Sequence, residues 1–323
     1  MRPCNYCIQS EVFVVTNRLD KRLCNIVSDA KTGGTVDTSP EIFNQYRPRL
    51  TAIAYRMLGS RADAEDVLQE AYIRWMSADV SELRNPEAWL VTVTTRLSID
   101  RLRLAKKERE QYVGQWVPEP WVMEHAPSAE HSLEMAGDIS IAFLIVLEHL
   151  APDERAAFLL REVFEFEYEE IASMLGKSQD SCRQMVHRAK ERVRQGRPRF
   201  EISRASHIRL LEKFMQAART GDRHQLMALF AEDVSLTRDG GGKVPSGLKV
   251  VRGFKRVTQF YYGVRRLLGE SMEFRIVDIN GTPGLLRFVD GELESATSVI
   301  TNGTHILDIY IVRNPDKLKL IKV

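Results

Sequence analysis

The sequence predicts a multidomain protein in which two all-α units are followed by an α+β domain. Apolar residues recur at helical spacing through 39–110 and again through 135–197, whereas 198–323 changes to helices followed by alternating, strand-like runs. A stretch rich in tryptophan and proline, 111–134, separates the two helical units. A chain of 323 residues is long enough for two or three separate cores.

The overall composition is that of an ordinary globular protein, with 44% hydrophobic and 28% charged residues. The net charge is only +2, so any surface for nucleic acid has to be found locally. No apolar run approaches the roughly 18 residues that a membrane helix needs, so no membrane partner is expected. Four cysteines in so long a chain do not form a disulfide framework, which favours a reducing cytoplasm.

The first 38 residues differ from the rest and are expected to form a disordered tail, 1–38. They contain Cys4, Cys7 and Cys24. A structural zinc site takes about four ligands, and no fourth cysteine or histidine lies near these three. No metal site is therefore predicted.

The first helical unit is predicted to contain three helices. A serine, a proline and an acid at 39–41 are typical of a helix start, and a break or kink is expected at Pro48. Ser60 caps the second helix, whose acidic side chains point away from its apolar face, and the third helix begins at Pro86. The third helix carries a basic stripe, which is either a solvated surface or a phosphate-binding one. The cations of this stripe are Arg96, Arg101, Arg103, Lys106, Lys107 and Arg109.

The segment 168–195 has the pattern of a helix-turn-helix. A short helix is predicted from Tyr168 to Leu175, Gly176 ends it, and Ser178 caps the next helix. The second helix has an apolar face and otherwise presents amides and cations, which match base edges and phosphates of duplex DNA. Any αα-hairpin can imitate this pattern, so the motif alone does not decide the function.

The connector and the C-terminal domain are both expected to be ordered. Trp116 and Trp121 are costly to expose, so the connector is expected to lie on a neighbouring domain. The C-terminal domain begins with two short helices and a strand, 206–237, and continues with antiparallel strands over 273–313. Turns between these strands are expected at Gly281, Gly284, Gly291 and Asn302-Gly303.

The C-terminal domain shows no convincing catalytic group. His305 and Asp308 differ by three positions on a predicted strand, so they face opposite sides of the sheet, and Asp278 has no evident partner. The glycine-rich DGGGK, 239–243, lacks the spacing of a phosphate-binding loop. We expect it to form a tight turn that places its Asp and its Lys at interdomain contacts.

The order and spacing of three segments resemble the extracytoplasmic-function (ECF) sigma factors of bacterial RNA polymerase. DAEDVLQEAYIRW, 63–75, resembles the region 2 helix that docks on core polymerase. NPEAWLVTVTTRLSIDRLR, 85–103, resembles the part that opens and reads the −10 element. LGKSQDSCRQMVHRAKERVR, 175–194, is similar to the region 4 helix that reads the −35 element.

This resemblance implies two partners, core RNA polymerase and promoter DNA, and three sets of contact residues. The implied polymerase contacts are Asp63, Asp66, Gln69, Glu70 and Arg74. The implied −10 contacts are Arg96, Asp100, Arg101 and Arg103. The implied −35 contacts are Ser181, Arg183, Gln184, His187, Arg188 and Lys190. The family often has Asn where this chain has Arg96, which leaves the preferred −10 base open.

The C-terminal domain resembles the SnoaL-like, NTF2-like cone fold that a subgroup of ECF sigma factors carries. WVPEP, 116–120, DGGGK, 239–243, and NPDKL, 314–318, resemble the hallmark motifs of that subgroup. The implied interdomain residues are Trp116, Pro118, Glu119, Pro120, Asp239, Lys243, Asn314, Pro315, Asp316 and Lys317. The resemblance implies a regulatory domain that biases the sigma units between closed and promoter-competent arrangements. It implies no cofactor, although a cone could accept a small ligand.

Two other functions fit parts of the sequence. A one-component regulator would combine the helix-turn-helix with a ligand-sensing domain, but it would not need the first helical unit. A SnoaL-like enzyme with an unrelated N-terminal part would turn over a small substrate without polymerase. Association with core polymerase distinguishes both from a sigma factor.

Overall fold

The computed structural model describes residues 40–78, 83, 85–123, 139–196 and 202–321. The three N-terminal cysteines and the end of the connector, 124–134, lie outside these ranges.

The first helical unit contains helices α1 (Pro40–Leu58), α2 (Arg61–Ser77) and α3 (Pro86–Glu110). The break expected at Pro48 is wrong, because α1 continues through it. Both halves of α1 bury apolar side chains, and this packing keeps the helix in one piece. The predicted caps are confirmed: Ser60 Oγ accepts a hydrogen bond of 3.2 Å from the backbone N of Asp63, and Pro86 opens α3.

The second helical unit follows a short strand, β1 (Val122–Met123). Its helices are α4 (Ile141–Glu148), α5 (Pro152–Glu162), α6 (Tyr168–Leu175) and α7 (Gln179–Gly196). Gly176 ends α6 in the left-handed conformation, with φ of 64°, and Ser178 caps α7, as the sequence predicts. These two features set the crossing of α6 and α7 that defines the helix-turn-helix.

The two helical units share one hydrophobic core. Helices α1 and α3 pack against α5, and α3 also packs against α6. Tyr55, Trp75 and Trp89 of the first unit and Phe143 and Phe158 of the second unit belong to the same buried cluster. The structure therefore shows the units docked on each other.

The C-terminal domain is a mixed sheet covered by helices on one face. Its elements are α8 (Arg204–Thr220), α9 (Arg223–Leu229), β2 (Phe230–Asp239), β3 (Val251–Arg252), α10 (Phe254–Leu268), β4 (Met272–Ile279), β5 (Thr282–Val289), β6 (Glu292–Thr301), β7 (Ile306–Val312) and α11 (Pro315–Leu318). The strand order is β1-β4-β5-β6-β7-β2-β3, with β2 and β7 parallel and the other neighbours antiparallel. An aromatic cluster between helices and sheet, with 5.0 Å between the ring centroids of Phe214 and Tyr261, fills the centre of this domain.

Two sequence expectations for this domain need correction. Helix α10 was not anticipated, and Gly284 lies inside β5 and not at a turn. A Cβ at Gly284 would come within 2.7 Å of Ile279 Cδ1 and 2.8 Å of the carbonyl oxygen of Thr297, so glycine is needed there for close strand packing. The turns at Gly281 and Gly291 are confirmed.

Candidate functional site

The connector between the helical units is built into the C-terminal sheet. Strand β1 pairs with β4 in an antiparallel arrangement that places Val122 opposite Ile279. At its end, Trp121 and Asn280 exchange hydrogen bonds: the backbone N of Asn280 donates to the carbonyl of Trp121 at 2.8 Å, and Asn280 Oδ1 accepts from the backbone N of Trp121 at 2.9 Å. The expectation of an ordered connector is confirmed for residues 111–123.

Asp239, the first residue of the DGGGK motif, is the centre of a buried network between connector and domain. Its Oδ1 accepts from Tyr112 Oη at 2.5 Å, and its Oδ2 accepts from the backbone N of Val117 at 2.9 Å. Lys317 Nζ lies 2.7 Å from the same Oδ2 and 4.3 Å from the ring centroid of Trp116. Burial lowers the pKa of Lys317, and the charge of Asp239 opposes this shift. A buried ion pair thus fixes the connector.

The glycines of DGGGK let that motif meet NPDKL. Gly241 has a φ of 60°, and a Cβ on it would lie 2.3 Å from Asn314 Nδ2. Asn314 Nδ2 in turn donates to Tyr112 Oη at 2.9 Å, and Asn314 Oδ1 caps α11. The glycine is required because the two loops touch through backbone and amide alone.

Three of the residues expected at interdomain contacts, Lys243, Pro315 and Asp316, lie elsewhere. Lys243 forms an ion pair with Asp316 of α11, in its own domain. Pro315 is exposed in the first turn of α11. The interdomain role predicted for these three residues therefore has no contact to support it in the described structure.

Glu119 of the WVPEP motif joins the connector to the first helical unit. Its carboxylate accepts from the backbone N of Arg61 and of Ala62, so it caps α2. Its carbonyl oxygen accepts from Tyr55 Oη at 2.7 Å, and Asn280 Nδ2 lies 2.5 Å from that same hydroxyl. Burial raises the pKa of Glu119, while the two backbone donors oppose the shift. The neighbouring Pro118 and Pro120 are both buried.

The residues expected at the −10 element lie where the two helical units meet. Arg96 Nε donates to the carbonyl oxygen of Met174 at 2.8 Å, and Arg96 Nη2 donates to that of Ser173 at 3.3 Å. These carbonyls end α6, where a cation is favoured by the helix dipole. The other members are paired as well: Arg103 with Asp100 and Asp153, and Arg101 with Asp63 and Glu108.

A buried charge cluster that the sequence did not indicate crosses the same contact. Glu148 of α4 accepts from Arg155 Nη1 at 2.5 Å and from Arg109. Arg155 Nε also donates to the carbonyl of Arg56 at 2.9 Å, and the Arg109 guanidinium lies 3.5 Å from the ring centroid of Trp116. Burial lowers the pKa of Arg109, with Glu148 opposing. From the sequence Arg109 and Arg155 would be assigned to the surface. Their burial arises from packing between the helical units, which no local pattern indicates.

Most of the residues expected to read the −35 element lie on an open face of α7. Arg183, Gln184, His187, Arg188 and Lys190 are exposed, and Ser181 is half-buried. Several of these cations are paired with acids of the same unit: Arg183 with Asp180, Lys190 with Glu162, and both Arg188 and Arg192 with Glu154. The Arg183–Asp180 pair is exposed and therefore weak, which leaves the Arg183 guanidinium available to another anion, whereas Glu154 is buried.

The residues expected to contact polymerase lie along α2. Asp66 and Gln69 are exposed. Glu70 pairs with Arg74 at 2.8 Å, and Asp63 pairs with Arg101 of α3. Ile73, which the sequence analysis did not single out, is 59% exposed beside these residues. It borders a groove between α1 and α2. Single exposed apolar residues are common on protein surfaces, so the polymerase contact on this face stays a prediction.

The side chains considered for catalysis do not come together. Asp278 pairs with Arg204 at 2.6 Å, and Asp308 accepts from Ser235 Oγ at 2.5 Å, whereas His305 contacts Thr304. In the described ranges, no three His, Cys, Asp or Glu side chains gather in a way that could hold a metal ion. None of the helices in those ranges has the length and apolar character that crossing a membrane requires.

Comparison with known proteins decides between the readings of the helical units. Family models match twice: Sigma-70 region 2 over residues 42–108, and Sigma-70, region 4 over residues 142–193. The chain is also 34% identical over 287 residues to the ECF RNA polymerase sigma factor SigJ of Mycobacterium tuberculosis, which covers 85% of this chain and 91% of that protein. The chain belongs to the ECF sigma factors.

The other similarities agree with this family. The probable ECF RNA polymerase sigma factor SigI of Mycobacterium tuberculosis is 28% identical over 275 residues, covering 84% of this sigma factor and 92% of SigI. The crystal structure of SigJ matches with a TM-score of 0.71 and 31% identity, over 87% of this chain and 98% of that chain. The similarity to SigJ thus extends through the cone-like C-terminal domain, so a sigma factor, and not a one-component regulator, describes the whole chain.

Proposed function

We propose that this sigma factor binds bacterial core RNA polymerase through α2, reads the −10 and −35 elements through α3 and α7, and is restrained by its C-terminal domain. The domain limits that we assign are region 2 at 39–110, region 4 at 135–197 and the cone domain at 198–323. The observation that carries the proposal is an asymmetry between the two DNA-reading helices. The basic face of α7 is open, whereas Arg96 of α3 is bonded to region 4.

A sigma factor with two small DNA-binding surfaces needs a partner that spaces them. Each surface alone has a small footprint and binds weakly. Polymerase that holds both at the promoter spacing makes the second contact effectively intramolecular, which raises the overall affinity. Separation of the units requires Arg96 to leave the carbonyls of α6, so the docked arrangement competes with promoter binding.

The C-terminal domain acts on this balance through the connector. Asp239, Lys317 and Asn280 hold residues 111–123 against the domain, and these residues belong to the segment that joins regions 2 and 4. Docking shortens the free part of the link and so favours the closed arrangement. Release of the connector lengthens the tether. We assign no catalytic step to the domain, because the two carboxylates considered for catalysis, Asp278 and Asp308, are engaged in structural pairs.

Reconstituted transcription tests this function. We expect the purified full chain to bind core polymerase and to direct initiation from its own promoter. Asn280→Gly, which removes the amide that holds Trp121, is expected to increase initiation at limiting sigma concentration because the connector is freed. Asp290→Gly, at the equivalent turn of the next hairpin, is the matched control. Failure of the full chain to associate with core polymerase at low salt contradicts the proposal, and equal output from both variants contradicts the restraining role.

A further inference from the structure

A cluster of arginines lies on the inner face of the C-terminal sheet, next to α10. Arg238 of β2 is directly opposite Ile311 of β7, and Ile311 belongs to the core packed beneath the helices. Arg287 is two residues from Leu285, another member of that core, so it faces the same side of β5. Both guanidinium groups therefore point under the helices and away from the outer surface of the sheet.

Only part of this positive charge is neutralised. The Glu294 carboxylate accepts from Arg287 Nε at 2.8 Å and from Arg313 Nε at 2.5 Å. A β-bulge in the β5–β6 pairing, next to Arg287, leaves Glu294 as the extra residue, and bulges commonly redirect side chains at functional sites. Arg238 forms no ion pair with a described residue, and its guanidinium lies 4.7 Å from the ring centroid of Phe260. One cation remains uncompensated.

The two segments that contact this cation, α10 and the loop after Asp239, carry hydroxyl groups without partners. Thr258 Oγ1, Tyr261 Oη and Ser246 Oγ are buried and accept or donate no hydrogen bond within the described structure, and neither does Arg238 Nε. Thr258 is 3% and Tyr261 4% exposed, and they lie three residues apart on one face of α10. Burial raises the pKa of the Tyr261 phenol, while Arg287 and Arg238 oppose this rise. The preceding residue, Phe260, contacts the Arg238 guanidinium, so this part of α10 lies against the cluster.

The loop that follows Asp239 covers this cluster. The carbonyl oxygen of Pro245 accepts from Arg313 Nη1. A Cβ at Gly247 would lie 2.3 Å from Arg238 Nη2, so the loop backbone rests on the arginine. Buried polar groups without partners are costly, and a protein retains several in one place only where something else compensates. Their presence on the two segments that contact one unpaired cation points to a site for an anion.

We propose that this site binds a small organic carboxylate. The carboxylate pairs with the planar guanidinium of Arg238 and accepts from the hydroxyls of Thr258 and Tyr261, and its apolar part lies against Phe260. A single unpaired cation matches the single charge of a carboxylate, whereas inorganic phosphate carries more charge than one free arginine balances. The site goes beyond the sigma activity and does not depend on it.

Benzoate is a suitable probe, and benzamide is its neutral counterpart. Saturation-transfer NMR on the full chain is expected to show saturable binding of benzoate and none of benzamide. Arg238→Gln is expected to weaken benzoate binding at least tenfold, and Tyr261→Phe several-fold. Arg209→Gln is the control, because Arg209 is an exposed arginine that lines a separate cleft of the same domain. Equal binding of benzoate and benzamide overturns the proposal, as does an equal loss in the Arg209 variant.

Two further measurements keep the proposal testable if a variant is unstable. In the absence of benzoate, Tyr261→Phe is expected to melt at the same temperature as the parent or higher, because the lost hydroxyl has no partner within the protein. A clear fall in melting temperature contradicts an unsatisfied hydroxyl and with it the site. Inorganic phosphate in the same NMR assay is expected to bind more weakly than benzoate, and tighter binding contradicts the carboxylate assignment.

Discussion

Arg96 Nε and the carbonyl oxygen of Met174 are joined by a hydrogen bond of 2.8 Å that crosses from region 2 to region 4. Arg96 is half-buried, and burial lowers its pKa. We propose Arg96 for −10 recognition. In the structure its side chain is instead bonded to the C-terminal end of α6, the first helix of the helix-turn-helix. The free protein is thereby held in an arrangement in which this side chain is not available to DNA.

The first prediction concerns this bond. Arg96→Ala is expected to lower the free energy of unfolding by about 1–2 kcal/mol, because a charged donor to two partly buried carbonyls is removed. Arg103→Ala, which removes only exposed ion pairs, is expected to cost less than about 1 kcal/mol. Urea unfolding of both variants measures the difference. Equal losses contradict the view that the Arg96 contact holds the units together.

The second prediction concerns the buried pair of Asp239 and Lys317. Asp239→Asn leaves the ammonium group of Lys317, a residue that is 7% exposed, without its counter-charge, so we expect a loss of about 3–5 kcal/mol in unfolding free energy. Adding Lys317→Met is expected to recover much of this loss, because the unpaired charge is then removed. A double-mutant cycle in urea measures the coupling. Additive effects of the two substitutions contradict a direct ion pair.

The third prediction uses the left-handed backbone of Asn280, whose φ is 55°. Asn280→Gly keeps the turn but loses the hydrogen bonds to Tyr55, Ile139 and Trp121, which we expect to cost about 2–4 kcal/mol. Asn280→Ala adds about 1–2 kcal/mol, because a Cβ disfavours this conformation. Asp290→Gly, at a φ of 52° in the next turn and exposed, is expected to be nearly neutral. A neutral Asn280→Gly variant contradicts the bridging role of the amide.

The fourth prediction is a pH dependence that arises from Glu119. Burial raises its pKa above the value in the unfolded chain, so between the two values the folded protein holds a proton that the unfolded chain has lost. This contribution to stability therefore falls as the pH rises through that window. The difference in urea midpoint between the parent and Glu119→Gln, measured from about pH 4 to about pH 7, isolates this contribution from other carboxylates. A constant difference across the range contradicts the raised pKa.

The fifth prediction concerns promoter recognition by α7. Gln184→Ala and Arg183→Ala are each expected to weaken binding of holoenzyme to the −35 element by about 1–3 kcal/mol, if each makes one good base contact. Arg219→Ala, an exposed cation of α8 in the C-terminal domain, is the control and is expected to have no effect. Competition of promoter fragments with altered −35 sequences measures specificity. Unchanged specificity in both α7 variants contradicts the assignment of the recognition helix.

The sequence predicted the elements whose signals are local. Gly176 and Ser178 mark the turn of the helix-turn-helix by conformational preference and side-chain capping, and both act as predicted. The alternation of the late strands predicted β4 to β7 in the same way. By contrast, Gly284 was interpreted as a turn residue, because a sequence does not show that another strand passes close to its Cα.

The contacts between domains were predicted only in outline. The three hallmark motifs indicated which segments meet, but not that Asp239 pairs with Lys317 or that Asn280 reaches Tyr55. In the sequence Asn280 is an asparagine, which tolerates positive φ, next to a glycine. A turn alone explains that pair, so nothing in it indicates a contact with another domain. Arg155 is fully buried although it stands in an amphipathic helix among charged neighbours, because a second domain covers it. Such pairings depend on docking geometry and not on local preference.

Strand β1 has a consequence for experiments that divide this protein. Val122 and Met123 take their backbone partners from the cone domain, although in the chain they stand between the two DNA-reading units. A truncation before residue 204 would remove the strand that pairs with these two residues and expose the aromatic rings beside them. The result is an unpaired strand edge, which promotes aggregation. The shortened protein would then differ from the parent in solubility as well as in regulation. Single substitutions at the contact between the connector and the cone domain leave every strand in place. They therefore report on control of transcription more cleanly than a truncated protein does.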